Sequence, residues 1–258
     1  MSHFGSYEPV NNSAIRVCCL TMNMADRLRL LACPPEVVPL IRAAIKKFWH
    51  GGIQGERAYH GSHEFKLIGN PWHAYGEDAI ASRKLLAAIL KTMGTLGWNL
   101  TQSTDVSKRE GDKDSLFFEE GVADPDARVF VVSFNQRNRL RLIDAPDLLP
   151  FVEEAVTQYW PKGIEERTEL NGCNELKLKG NPWYPIGADA VHSKLLLCKV
   201  VANFRSIGYK LYASVDLSYG TFKAKIWKPG FFEKFGMTWS TCPPLVNHVG
   251  NSLTTLIT

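Results

Sequence analysis

The sequence predicts an α+β protein made of two tandem copies of a β-β-α-β-α-β-β unit. Its sheets are antiparallel, its helices lie on one face, and the copies are related by a pseudo-two-fold. Three observations carry this prediction. The nonapeptide "EFKLIGNPW" at Glu64–Trp72 returns as "ELKLKGNPW" at Glu175–Trp183, 111 residues later. At that offset 25 of the 74 positions from Pro34 to Ser107 are identical without a gap, and ahead of Pro34 an offset of 112 aligns "RLRL" at Arg27–Leu30 with "RLRL" at Arg139–Leu142. Within each copy apolar residues recur with period two in some segments and at helical spacing in others. Such a period is the size of a small domain, far above a solenoid unit. The units run over 14–120 and 125–235, joined at Gly121–Asp126 ("GVADPD") and followed by a C-terminal extension, 236–258.

The elements of copy one follow in order. "IRVCCLTM" and "DRLRLLAC" are short β-rich runs. "PPEVVPLIRAAIKKFW" is helical: Val37, Ile41, Ala44, Ile45 and Phe48 share one face, and prolines sit in its first turn, where a missing N–H costs little. "HEFKLIG" alternates, with Phe65 and Leu67 on one side and Glu64 and Lys66 on the other. "EDAIASRKLLAAILKTMGTLGW" is a second amphipathic helix through Ala79, Leu86, Ile89, Met93 and Leu96, stopped near Gly97. "NLTQSTDVS" and "KDSLFFE" form a closing hairpin about Glu110–Asp112.

Composition narrows the class. With 45% apolar and 22% charged residues the chain is an ordinary globular protein, and a net charge of +4 is too weak to imply nucleic acid. The first residues carry neither a basic nor an apolar signal region, and no apolar run reaches the roughly 18 residues a membrane span needs. The six cysteines, at 18, 19, 33, 173, 198 and 242, show no C-x-x-C spacing. They read as reduced thiols in a cytoplasmic protein.

Gly69-Asn70-Pro71-Trp72 lies between a strand and a helix. Glycine frees the backbone, proline fixes φ and keeps Asn70 out of the helical region, and tryptophan anchors the corner through its ring and N–H. A structural corner accounts for all four residues; contact of Asn70 and Trp72 with a ligand is the sharper alternative. A set of polar residues is also retained: Arg27, Arg29, Glu64, Lys66, Ser103, Asp105 and Ser107 recur as Arg139, Arg141, Glu175, Lys177, Ser214, Asp216 and Ser218. They alternate along strands, and in copy two Leu211, Ala213, Val215 and Leu217 point the other way. With helices on the apolar side, the polar set would share the opposite face. Read blandly, it is a cross-strand ion-pair ladder worth roughly 0–1 kcal/mol per exposed pair. The sharper reading is a groove whose arginines and lysines hold a polar or anionic ligand, since a guanidinium donates two parallel bonds to a carboxylate or phosphate.

Catalytic signals are weaker. His50, His60, His63 and His73 cluster in copy one, but their counterparts are Pro161, Asn171, Asn174 and Tyr184, and no fourth ligand follows, so no metal site is expected. A hydrolase using Asp105 with Ser103 or His63 is conceivable, yet no G-x-S-x-G elbow is present. Without G-x-G-x-x-G or a phosphate loop, no cofactor is expected. Nucleic acid is disfavoured because Glu64 and Asp105 dilute the basic face.

At "GSHEFKLIGNPW", "GWNLTQSTDVSK" and "DKDSLFF" the chain resembles a group of uncharacterised fungal proteins that carry this signature, often in tandem. Copy two departs from it, with "SVDLSYG" in place of "STDVSKR". The resemblance implies a cytosolic duplicated domain and no particular activity. The expectation is a cytoplasmic binding protein that recognises a small polar or anionic ligand, or a protein, through the polar sheet face. A hydrolytic enzyme and a purely structural or interaction module are the alternatives.

Overall fold

The computed structural model describes residues 15–104, 113–217 and 223–229. Copy one comprises β1 (Val17–Asn23), β2 (Arg27–Leu31), α1 (Val37–Phe48), β3 (Ile53–Tyr59), β4 (Ser62–Leu67), α2 (Gly76–Thr95), β5 (Trp98–Thr104) and β6 (Ser115–Glu120). Copy two repeats it as β7 (Phe130–Asn135), β8 (Arg139–Ile143), α3 (Leu149–Tyr159), β9 (Ile164–Leu170), β10 (Cys173–Leu178), α4 (Ala188–Ser206), β11 (Tyr209–Asp216) and β12 (Lys223–Pro229). Each copy forms one six-stranded antiparallel sheet, ordered β3-β4-β2-β1-β6-β5 in the first and β9-β10-β8-β7-β12-β11 in the second. The duplicated α+β architecture is therefore as the sequence predicts. The hairpin turn placed at Glu110–Asp112 and the extension 236–258 lie outside the described residues.

Each copy carries one strand more than its sequence pattern announces. β3 and β9 are sheet edges, exposed along nearly their whole length. With neither face buried, they have no alternation to read. Their charged residues suit an edge, where they discourage pairing with other chains.

The core of copy one lies between its sheet and its two helices. Leu20, Leu28, Leu30, Phe65 and Leu67 meet Val37, Ile41 and Ile45 of α1 and Leu86, Ile89 and Met93 of α2. Copy two builds a matching core from Phe130, Val132, Leu140, Leu142, Val152, Val156, Leu196, Val200 and Phe204. The backbone repeats in detail. Left-handed non-glycine residues recur as Met24 and Gln136, Ala32 and Asp144, and His60 and Asn171.

The two copies meet along the equivalent edge strands β5 and β11. The Leu100 N–H donates to the Tyr212 hydroxyl (2.7 Å), and the Ser103 hydroxyl donates to the Ser214 carbonyl (3.2 Å). Helix α2 reaches further and packs on the outer face of sheet two at β7 and β8. Ile80, Arg83, Ala87 and Leu90, off the stripe that faces its own sheet, are buried, and Val131, Ile143, Cys173, Ala213 and Val215 join the same core. Lys84 Nζ ties to Asp144 Oδ1 at 2.7 Å across this contact. Over Ala79–Leu90 most of α2 is buried on both sides, because it lies between two sheets. Burial there pushes the Cys173 thiol up to about 11.

This join corrects the expected sidedness of β11. Bulges between Leu100 and Gln102 and between Leu211 and Ala213 break the alternation of β5 and β11. Past the bulge, Ala213 and Val215 lie on the outer face, under α2, in register with Val131 and Ser133 through β12.

Candidate functional site

The retained corner is structural on both sides of the repeat. Gly69 and Gly180 take φ of +80° and +78°, a region open to glycine at little cost. Trp72 is fully buried, and its indole N–H donates to the Arg27 carbonyl at 2.7 Å; Trp183 does the same to the Arg139 carbonyl at 3.0 Å. Trp72 therefore has no surface for a ligand, and it acts by fixing the backbone that presents Arg27. Asn70 is exposed and closes the turn by accepting the His73 N–H on its carbonyl.

The charged residues of the repeat do gather. Antiparallel register sets Arg29 and Arg57 opposite Glu64, and Arg27 and Gly55 opposite Lys66, on the outer face of sheet one. Glu64, with 1% of its side chain exposed, accepts from three arginines: Arg27 Nη1 at 3.1 Å, Arg29 Nε at 2.7 Å and Arg57 Nε at 2.8 Å. Burial pushes its carboxyl up, but the hydrogen bonds and charges of Arg29 and Arg57 outweigh that and hold it below the usual glutamate range. The Arg29 and Arg57 guanidiniums also lie 4.5 and 4.7 Å from the Tyr59 ring centre.

A depression of about 300 Å³ opens here, lined by Arg27, Gly55, Glu56, Arg57, Glu64 and Lys66. Arg27, Arg29 and Arg57 hold one central carboxylate, Lys66 lines the depression beside them, and Asp26 accepts from Arg27 at 3.2 Å. Glu56 is engaged on the other side by Arg42 (2.8 Å) and His63 (3.1 Å). Lys66 has no ion-pair partner among the described residues. Copy two builds the same centre with less positive charge. Glu175 accepts from Arg139 and from Arg141 Nε (2.5 Å), Thr168 stands where Arg57 does, and Lys177 is paired with Glu165 at 2.6 Å. Arg57 and Tyr59 escaped sequence reasoning because they lie on the edge strand that has no pattern.

Among the described residues the other candidates do not converge. Ser103 is in register with Leu116, whose side chain is in the core, so it lies off the arginine face. Ser214 likewise lies off that face, in register through β12 with Val132 of the core. In both copies the bulge is the cause. Ser103 and His63 stand on β5 and β4, four ladder steps apart, roughly 19 Å at the usual strand spacing, too far for proton relay. Asp105 lies outside the described residues, and Asp216 ends β11. Among the described residues no three His, Cys, Asp or Glu side chains come together to hold a metal ion. No described helix is long and apolar enough to cross a membrane.

Comparison with known proteins adds the family. One family model, of a single domain, matches twice, over residues 16–119 and 128–228. No curated protein and no solved structure matched the chain. Because the two matches cover most of the sequence and coincide with two successive α+β units, the chain belongs to the family defined by that domain and carries it in tandem.

Proposed function

We propose that this is a cytosolic binding protein that recognises an anionic group through the outer face of its first sheet, and that it groups with the fungal tandem proteins its signature resembles. Lys66 carries the reading. Among the described residues it is an ammonium without an ion-pair partner, beside three guanidiniums that share one buried carboxylate. An oxyanion entering the depression meets Lys66 and those N–H groups of Arg27 and Arg57 that Glu64 does not engage, while Glu64 holds the guanidiniums beside it. Gly55 leaves the rim without a side chain.

Calorimetric titration with inorganic phosphate and with a short glutamate peptide tests this. Lys66→Gln should weaken binding by roughly tenfold or more, the worth of one charge-assisted hydrogen bond, without changing the melting temperature. Arg57→Thr, which copies the second unit, should weaken it as well. If neither probe binds the wild type, or both variants bind as tightly as it does, the reading fails.

A further inference from the structure

Helices α2 and α4 are equivalent, yet among the described residues only α2 has its outer face covered by the other copy. In α2 the outer stripe Ile80, Arg83, Ala87 and Leu90 is buried on sheet two. Its counterparts on α4 are Val191, Lys194, Cys198 and Val201, and all four are exposed, Val191 by 60% and Val201 by 38%. Leu195 beside them is 41% exposed, and the core under α4 holds residues of copy two alone. The stripe continues into an apolar groove of about 400 Å³ bounded by Phe134, Cys198, Val201 and Leu211. A contiguous apolar patch of this kind marks an interaction surface.

The chain itself shows what fits such a stripe: the outer face of a sheet of this same fold. Sheet one offers the equivalent face. The positions that receive α2 on sheet two, Val131, Ile143 and Cys173, correspond to Cys19, Leu31 and Ser62, and Leu31 is 37% exposed. The charged tie of the internal contact, Lys84 to Asp144, corresponds to Leu195 and Ala32, so both members turn apolar together where the two surfaces lie free. The hydrogen bond from Asn171 to Glu77 has no such counterpart, its positions being His60 and Ala188. This footprint is a separate row from the Arg27–Lys66 depression.

We propose that a second copy of this chain docks the outer face of its first sheet on α4, repeating between chains the contact that α2 makes within one. The interface is head-to-tail, so it leaves one free α4 and one free sheet at the ends and extends with concentration rather than closing as a dimer.

Sedimentation of the full chain over a concentration series tests this. The wild type should gain mass beyond one chain, and Val201→Asp or Leu31→Asp should each weaken that association by about tenfold or more. Both sites are exposed within the chain, so melting temperatures should hold. An equimolar mixture of the two variants keeps one intact interface and should form two-chain species and nothing larger. Leu195→Lys and Ala32→Asp should each weaken association, and the double variant should recover it by rebuilding the internal ion pair. Asp suits the left-handed backbone at residue 32, where Asp144 already adopts it in copy two. A wild type that stays one chain throughout would overturn the proposal. So would Leu31→Asp chains that assemble as the wild type does, which would place α4 against another surface, or a double variant no better than its parents.

Discussion

The two copies differ most where they face solvent. On the edge of copy one Arg42 of α1 pairs with Glu56 of β3; at the same positions of copy two Glu153 of α3 pairs with Arg167 of β9. The pair has survived with its signs exchanged. That is the behaviour of a surface bridge, where geometry is kept and the direction of charge is free. The carboxylate centre shows the opposite. Glu64 and Glu175 are both retained, and each, itself buried, holds arginines on the outer face of its sheet. Around that centre copy one has Arg57 and a Lys66 with no ion-pair partner among the described residues, while copy two has Thr168 and a paired Lys177. The difference teaches that the centre belongs to the fold and that its rim is where the two units diverge in charge.

The comparison can be broken most sharply at the corner tryptophans. Trp72→Ala should cost about 3–5 kcal/mol, as a fully buried aromatic does, and leave the Arg27 carbonyl without its donor. Trp183→Ala, at a half-buried site, should cost about 2 kcal/mol by the same chemistry. Urea unfolding of the two variants measures the gap, and equal losses would mean that the corners are equally packed.

Next come the central carboxylates. Glu64→Gln should destabilise by about 2 kcal/mol and Glu175→Gln by about 1 kcal/mol, because three arginines depend on the first and two on the second. A smaller effect lies in pH. Since the Glu64 carboxyl is held below its ordinary value, its contribution is whole above about pH 4.3 and fades as pH falls through the native value. Stability measured down the acid limb should fall more steeply for the wild type than for Glu64→Gln. Parallel curves would show that the arginines do not hold the charge. The smallest effect is the exchange itself. Arg42→Glu, Glu56→Arg and His63→Asn together give copy one the reversed bridge of copy two, and the melting temperature should stay where it was. Arg42→Glu alone, which sets two acids against each other, should lower it slightly.

Much of this architecture was legible in the chain. The repeat, the corner and the helix faces follow from local rules: period two, period 3.6, and glycine and proline where φ demands them. Glu64, Lys66 and the arginines of β2 were found because they alternate with core residues on strands buried on one side. Arg57 was missed for the converse reason, since an edge strand exposed on both faces has no periodicity. Ser103 and Ser214 lie on the face opposite to the one their alternation predicts, because a bulge shifts register without leaving a mark in the pattern.

By itself the sequence determined that a unit was doubled, which residues make each core, and which charged residues travel together on neighbouring strands. These are properties of short stretches, and hydrophobic spacing encodes them. Only the tertiary structure decided that α2 would cover sheet two and that, among the described residues, no helix would cover the charged outer face of the first sheet or the apolar stripe of α4. The packing of one copy on the other depends on which surfaces meet across more than a hundred residues of chain, and no periodicity within either copy records that choice.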